Sequence, residues 1–281
     1  MTPQTFARSL AALPDPTMRA RALRAALIQA NAQPRPEQGL PELAVWIQAL
    51  ATMLARCQSA PSETERRQLA IAADALADTL GCDDLDYDVR RAMYEHAVAL
   101  GCRPLALMLF VPTPADAAQT AMLAKPERAL GPRDRALSLG ERKALARTPR
   151  RELLTLVAKD PHPDVVAIVL ENPHLVEADV VRIAALRPTL PASLDCIAKH
   201  PRWRVRPAVR RALVYNPFTA TATVVRLLPN LPAAELRDIA QTATLAPMIS
   251  AHARQLLELR NPSRAAADTM GDNDRDTVRD N

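Results

Sequence analysis

The sequence predicts an all-α protein, a right-handed α-solenoid of short helical repeats with a helical N-terminal domain. Three observations carry this expectation. The chain is rich in Ala, Leu and Arg, residues that favour helix. It holds 25 prolines against 6 glycines in 281 residues. Each proline removes an N–H and clashes with the preceding turn, so so many of them must punctuate short helices rather than interrupt long ones. The third observation is a block written twice. Asn172-Pro173 is followed by Val180-Val181-Arg182-Ile183, and Asn216-Pro217 is followed at the same interval by Val224-Val225-Arg226-Leu227. Val157-Ala158-Lys159-Asp160-Pro161 is echoed by Ile197-Ala198-Lys199-His200-Pro201, and Leu190-Pro191 by Leu231-Pro232. The offsets, 40 to 44 residues, match the period of helical arrays, about 40–47 residues per unit.

Taken in order, the elements justify themselves locally. Asp15-Pro16 is an N-cap with proline at the first helical position, opening a helix to about Ala32. Pro41 to Cys57 carries Leu43, Trp46, Ile47, Leu50 and Leu54 at helical spacing. Ser62 and Glu65 form a capping box for a helix that stops at Gly81, read as a C′ residue. A helix from about Tyr87 to Leu100 stops at Gly101. Leu105 to Val111 is wholly apolar and is read as a buried helix, with a strand as the alternative that periodicity leaves open. Thr113-Pro114 opens another helix.

Short helices then follow near 141–147, 151–159, 164–171, 177–187, 193–199, 206–215, 220–228, 233–241 and 246–260. None can bury its apolar face alone, so stacking of like units is expected to build one core. The N-terminal helices would close one end and the helix ending near Arg260 the other. The expected organisation is an N-terminal helical domain over 1–124, a linker over 125–140, repeats over 141–260 and a disordered polar tail over 261–281.

The recurring helix, the Asn-Pro or Asp-Pro corner and the Val-Val-Arg helix resemble the leucine-rich repeat variant family, and more loosely HEAT-like repeats. The likeness covers Glu141 to Arg260. It implies an α-solenoid used as a scaffold. Such folds host many roles, so the resemblance implies no particular one. Some relatives carry a cysteine-ligated iron–sulfur domain ahead of the repeats. Here Cys57, Cys82, Cys102 and Cys196 are scattered, and they read as buried thiols instead.

The formal charge of +5 is unevenly placed: residues 141–260 carry 18 basic and 11 acidic side chains, a net +7. Within that stretch Arg202-Trp203-Arg204-Val205-Arg206, with Arg210 close behind, occupies the place where the second copy is four residues longer. An insertion in a repeat maps to a loop on one face, often the binding face. Guanidinium groups around an indole suit phosphates or an aromatic group; the other reading is that Trp203 plugs the gap between adjacent helices. Arg182 and Arg226 are equivalent and expected to line up on one side, as are Lys159 and Lys199. Asn172 and Asn216 read as structural helix-end residues.

Other constellations are weak. Asp84, Asp86, Asp88 and Glu95 fall on a calcium-loop spacing, but Val89 stands where the loop needs Gly. His162, His174 and His200 sit at corners with nothing to converge them on a metal. No nucleophile elbow, zinc-protease, Walker or dinucleotide-binding motif is present. The expected protein is therefore a non-catalytic, cytoplasmic scaffold with no cofactor, no metal and no membrane span. It would bind a protein partner with an acidic surface, or alternatively nucleic acid, through Arg182, Arg226, Arg202, Trp203, Arg204, Arg206 and Arg210.

Overall fold

The computed structural model describes residues 3–34, 36–37, 39–81, 85–111 and 137–261. The helix expected after Thr113-Pro114, most of the 125–140 linker, the polar tail beyond Asn261, Cys82 and Asp84 lie outside the described residues. Among those described, every regular element is helical, and no helix is long and apolar enough to cross a membrane. The chain divides into two compact units. One joins residues 1–111 to the segment from Val225 onward, and the other is 112–224.

In the first unit α1 (Pro3–Ala12), α2 (Pro16–Ala32), α3 (Glu42–Arg56), α4 (Glu63–Gly81), α5 (Tyr87–Ala99) and α6 (Arg103–Leu109) precede the break. Helix α3 is central and packs against α1, α2, α4 and α5. Its Ile47, Leu50, Met53 and Leu54 are fully buried; each such side chain contributes about 1.5–3 kcal/mol of transfer free energy. The Asp15 carboxylate accepts the Thr17 and Met18 N–H groups at the start of α2. The Thr17 side chain, then those N–H groups, hold its carboxyl below the usual range.

Helix α5 ends as its glycine predicts. Gly101 has φ +67°; its N–H bonds the Val98 carbonyl and the Cys102 N–H bonds that of Ala97, a Schellman closure. The apolar run 105–111 is helical over most of its length, as α6. Helix α1 is the element the sequence reading missed. Its signal was Phe6, Ala7 and Leu10 at helical spacing, all buried, with Phe6 edge-on to Trp46 at 5.0 Å.

The C-terminal segment does not close the far end of an array. Val225 belongs to the same core as the N-terminal helices. Beyond it come a 3₁₀ turn (Leu228–Asn230), α14 (Ala233–Gln241) and α15 (Pro247–Arg260); α15 packs on α14, α3 and α6. Buried Asn230 is the polar joint: Nδ2 donates to the Asp74 carboxylate and the Ala70 carbonyl, Oδ1 faces the Cys57 thiol, and its carbonyl accepts from Gln58.

The second unit holds α7 (Leu139–Ala146), α8 (Arg151–Val157), α9 (Pro163–Leu170), α10 (Glu177–Ala185), α11 (Pro191–Lys199) and α12 (Pro207–Val214). The division falls inside α13 (Thr221–Leu227), after Val224. Prolines open α9, α11 and α12, the punctuation role expected of them. Helices two places apart pack closely in three cases, α7 on α9, α9 on α11 and α10 on α12, and α7 also packs on its neighbour α8. Arg151 reaches Asp179 at 3.4 Å between α8 and α10, and Thr223 bonds Asp195 between α13 and α11. The helices therefore fall into two alternating rows, α7-α9-α11-α13 and α8-α10-α12.

Side chains tie each row at the helix ends. Asn172 Nδ2 donates to the Ala146 and Thr148 carbonyls at the end of α7, at 3.0 and 2.9 Å, while Oδ1 accepts the His174 N–H. Asn216 repeats this on Ala184 and Leu186 at the end of α10, with Oδ1 on the Phe218 N–H. In the first unit Arg260 does the same work on the Leu231 and Pro229 carbonyls.

Two outcomes follow for stability. Asn216→Ala leaves one buried and one partly buried carbonyl unmet and lowers stability by about 1–3 kcal/mol in urea unfolding. The second concerns His252 on α15, which is fully buried beside the Val225 carbonyl but without a well-formed hydrogen bond. Burial lowers its pKa from 6.5 to about 4. The unfolded state takes up the proton first, so this contribution is complete above pH 6.5 and is lost as pH falls toward 4. About 3 kcal/mol disappears over that window; His252→Leu flattens that part of a stability–pH curve.

Candidate partner-binding face

The basic excess resides in the second unit. Residues 137–224 carry 14 basic and 8 acidic side chains, and the side chains fall into two groups, those used internally and those left at the surface.

Trp203 is internal. It is 2% exposed and its Nε1–H donates to the Leu170 carbonyl at the end of α9, at 2.9 Å. The four-residue insertion therefore fills the space where α9 and the turn after α11 meet, and of the two sequence readings the plug is the one observed. Arg202 lies over the outer edge of the ring, Cζ 4.2 Å from its centroid, and is itself exposed. Arg204 and Arg210, at 5% and 7%, are buried, so neither guanidinium is a surface group. An indole sealed against a helix end cannot stack on an external base or ring.

Arg182 and Arg226 are not neighbours of one kind. Arg182 is well exposed and 3.5 Å from Asp179. Arg226 is half-buried, its guanidinium so close to Gly81 that an added Cβ would lie 3.3 Å from Nη1. Gly81 is thus the last residue of α4 rather than a left-handed stop, and what its missing side chain provides is room for a cation at a helix C-terminus, where the dipole suits it. The expected alignment of Lys159 with Lys199 fails for a counting reason. The copied block spans three helices, while packing in the second unit alternates every two. These equivalent residues consequently land on opposite rows, Lys159 after α8 and Lys199 on α11.

The slot shared by Asp160 and His200 shows the same change of row. Asp160 is buried and bonded by both carboxylate oxygens to Arg142 Nη1 at 2.7 Å, with Oδ1 also accepting the His162 N–H. His200 accepts the Arg202 N–H on Nδ1, which leaves the proton on Nε2, 3.3 Å from Glu171 Oε1. Burial lowers the His200 pKa, against the opposite pull of Glu171. One residue position thus meets a cation in the first copy and an anion in the second.

Exposed cations stand on both rows, Arg147 and Lys199 on α7-α9-α11 and Lys159, Arg182 and Arg206 along α8-α10-α12. Between α8 and α10 is a recess of about 80 Å³ lined by Ala158, Ile183 and Leu186, with Lys159, Asp179 and Arg182 around it. Lys159 is exposed. Arg206, at the N-cap of α12, is 3.9 Å from Glu177 of α10. Such exposed pairs are worth at most about 1 kcal/mol each, so an incoming carboxylate can displace them. On the other row an open groove of about 490 Å³ lies between α7 and α9, lined by Ala146, Ala167 and Ile168 with Arg147 and Glu171 at its margin. Among the described residues no three His, Cys, Asp or Glu side chains stand together as metal ligands would. Asp86, Asp88 and Glu95 of the calcium-like spacing are exposed, and Glu95 is engaged by Arg91.

The plug makes a direct prediction. Trp203→Ala costs about 3–5 kcal/mol of stability, as expected for a large aromatic removed from a packed site, and Trp203→Phe costs about 1 kcal/mol for the lost Nε1–H bond; both are read from chemical unfolding followed by circular dichroism.

Three comparisons with known proteins, against family models, curated proteins and solved structures, return no match to this chain.

Proposed function

We propose that the chain is a non-catalytic scaffold, a short right-handed solenoid of leucine-rich-variant or HEAT-like character. It holds an acidic, partly apolar segment of a protein partner along the α8-α10-α12 row. The observation that carries this reading is the recess between α8 and α10, with an apolar floor of Ala158, Ile183 and Leu186 between Lys159 and Arg182. It has room for one aliphatic side chain, flanked by cations for neighbouring carboxylates. That is the pattern of a peptide-binding groove, with an apolar anchor for affinity and charge for register. The dispersal of the arginines also supports a protein rather than a nucleic-acid ligand. Arg182 and Arg206 lie next to Asp179 and Glu177, and the aromatic ring that would stack on a base is buried. The absence of a cofactor belongs to this same proposal.

The test uses the full chain and a fluorescein-labelled peptide alternating Leu with Asp and Glu. Binding that falls about tenfold or more in the Lys159→Glu/Arg182→Glu double variant supports the proposal. Peptide binding that is absent, or unchanged in the double variant, sinks it. In a parallel arm a short duplex DNA at low salt is titrated. Tight binding whose affinity falls steeply with salt, with no binding of the peptide, moves the assignment to nucleic acid.

A further inference from the structure

Helix α5, in the first unit, exposes a stripe that the fold does not use. Tyr87 is 63% exposed, Val98 53% and Tyr94 39%, and Arg91 stands on the same face, one helical turn from each tyrosine and two from Val98. The chain has only 3 Tyr, 3 Phe and 2 Trp, so two open tyrosines on one helix are a large share of its aromatic material. They are also held in place. Phe110 meets the rings of Tyr87 and Tyr94 edge-on, at 6.1 and 5.5 Å. Held rings beside an arginine are what the energetic centres of protein interfaces are made of.

The arrangement is self-complementary. On the same side of the stripe Arg91 pairs with Glu95 at 2.9 Å, both more than half exposed. If two α5 helices pack antiparallel about a twofold axis level with position 93, Arg91 of one copy faces Glu95 of the other, twice. Tyr94 and its counterpart then lie one residue either side of the axis, about 3 Å apart along the helix direction, and Tyr87 comes level with position 99 of the other copy, next to Val98. Both charges sit on the same flank of the helix, and an antiparallel twofold brings like flanks together, so the pairs within each helix can exchange or share partners across the axis. We infer that this face binds a second copy of the chain, through a symmetric antiparallel α5–α5 contact locked by reciprocal Arg91–Glu95 pairs. A helix of 13 residues is about 20 Å long, which puts the contact at the small end of specific interfaces and makes the dimer concentration-dependent. It lies in a different unit from the recess proposed to hold a partner and does not depend on that reading.

Sedimentation equilibrium of the full chain across the micromolar range tests it. The expected result is a monomer–dimer equilibrium that Arg91→Glu weakens about tenfold or more, by setting like charges opposite each other. Tyr94→Ser weakens it as well, and the double variant Arg91→Glu/Glu95→Arg restores it. All substituted positions are exposed, and an unchanged helical circular dichroism spectrum confirms each fold. A monomer at every concentration overturns the inference. So does a dimer indifferent to Arg91→Glu, or a double variant that stays dissociated.

Discussion

A helix leaves its last four carbonyls without partners inside the helix. In helices of seven to nine residues, the length of α8 to α12, this is about half of the backbone acceptors. Buried, each unmet carbonyl costs on the order of a hydrogen bond. The chain answers with side-chain donors sent from the end of the second helix along: Asn172 to α7, Trp203 to α9, Asn216 to α10, and Arg260 to the 3₁₀ turn. Four donors of three chemical types converge on one task. The task, rather than the residue type, is therefore what the architecture requires. It also explains how such short helices hold together with so little aromatic content: the row spacing is set by hydrogen bonds at the corners as well as by apolar packing between them.

Much of the helical pattern was legible because its signals are local. Prolines, Asp15, Ser62 and Gly101 act through the backbone around them, and the helix limits follow them closely. The run 105–111 was read as a helix although periodicity alone left a strand open, and it is helical as far as Leu109. What was misjudged depends on non-local geometry. A linear offset in sequence does not say whether packing advances by two helices or three. Arg226, expected on an exposed ladder, sits half-buried beside Gly81. Likewise Trp203 is surrounded by arginines in sequence and by helix ends in space. Two of those arginines, Arg204 and Arg210, are buried with it, which no local rule anticipates for so strongly hydrated a side chain.

The candidate site was legible only in outline. Net charge located the basic excess in the right stretch, and Arg182 and Arg206 are among its exposed members. Lys159 entered the sequence reading as half of a ladder and emerges as one wall of a recess. The apolar floor of that recess was invisible beforehand, because Ile183 and Leu186 are ordinary helix residues until α8 is laid beside them. The buried Arg142–Asp160 pair was equally hidden, since its members are 18 positions apart in sequence with no motif between them.

The mismatch between a three-helix copy and a two-row stack has an evolutionary consequence. A block of three helices does not extend a surface when packing alternates every two; within the second unit it sets Lys159 and Lys199 on opposite rows. A side chain selected for contact in one copy is thus released to become interior in the next, as Asp160 and His200 illustrate by meeting opposite charges. A ligand lying along one row would meet only one residue of each such pair. Neighbouring copies are then free to diverge without competing for the same contact.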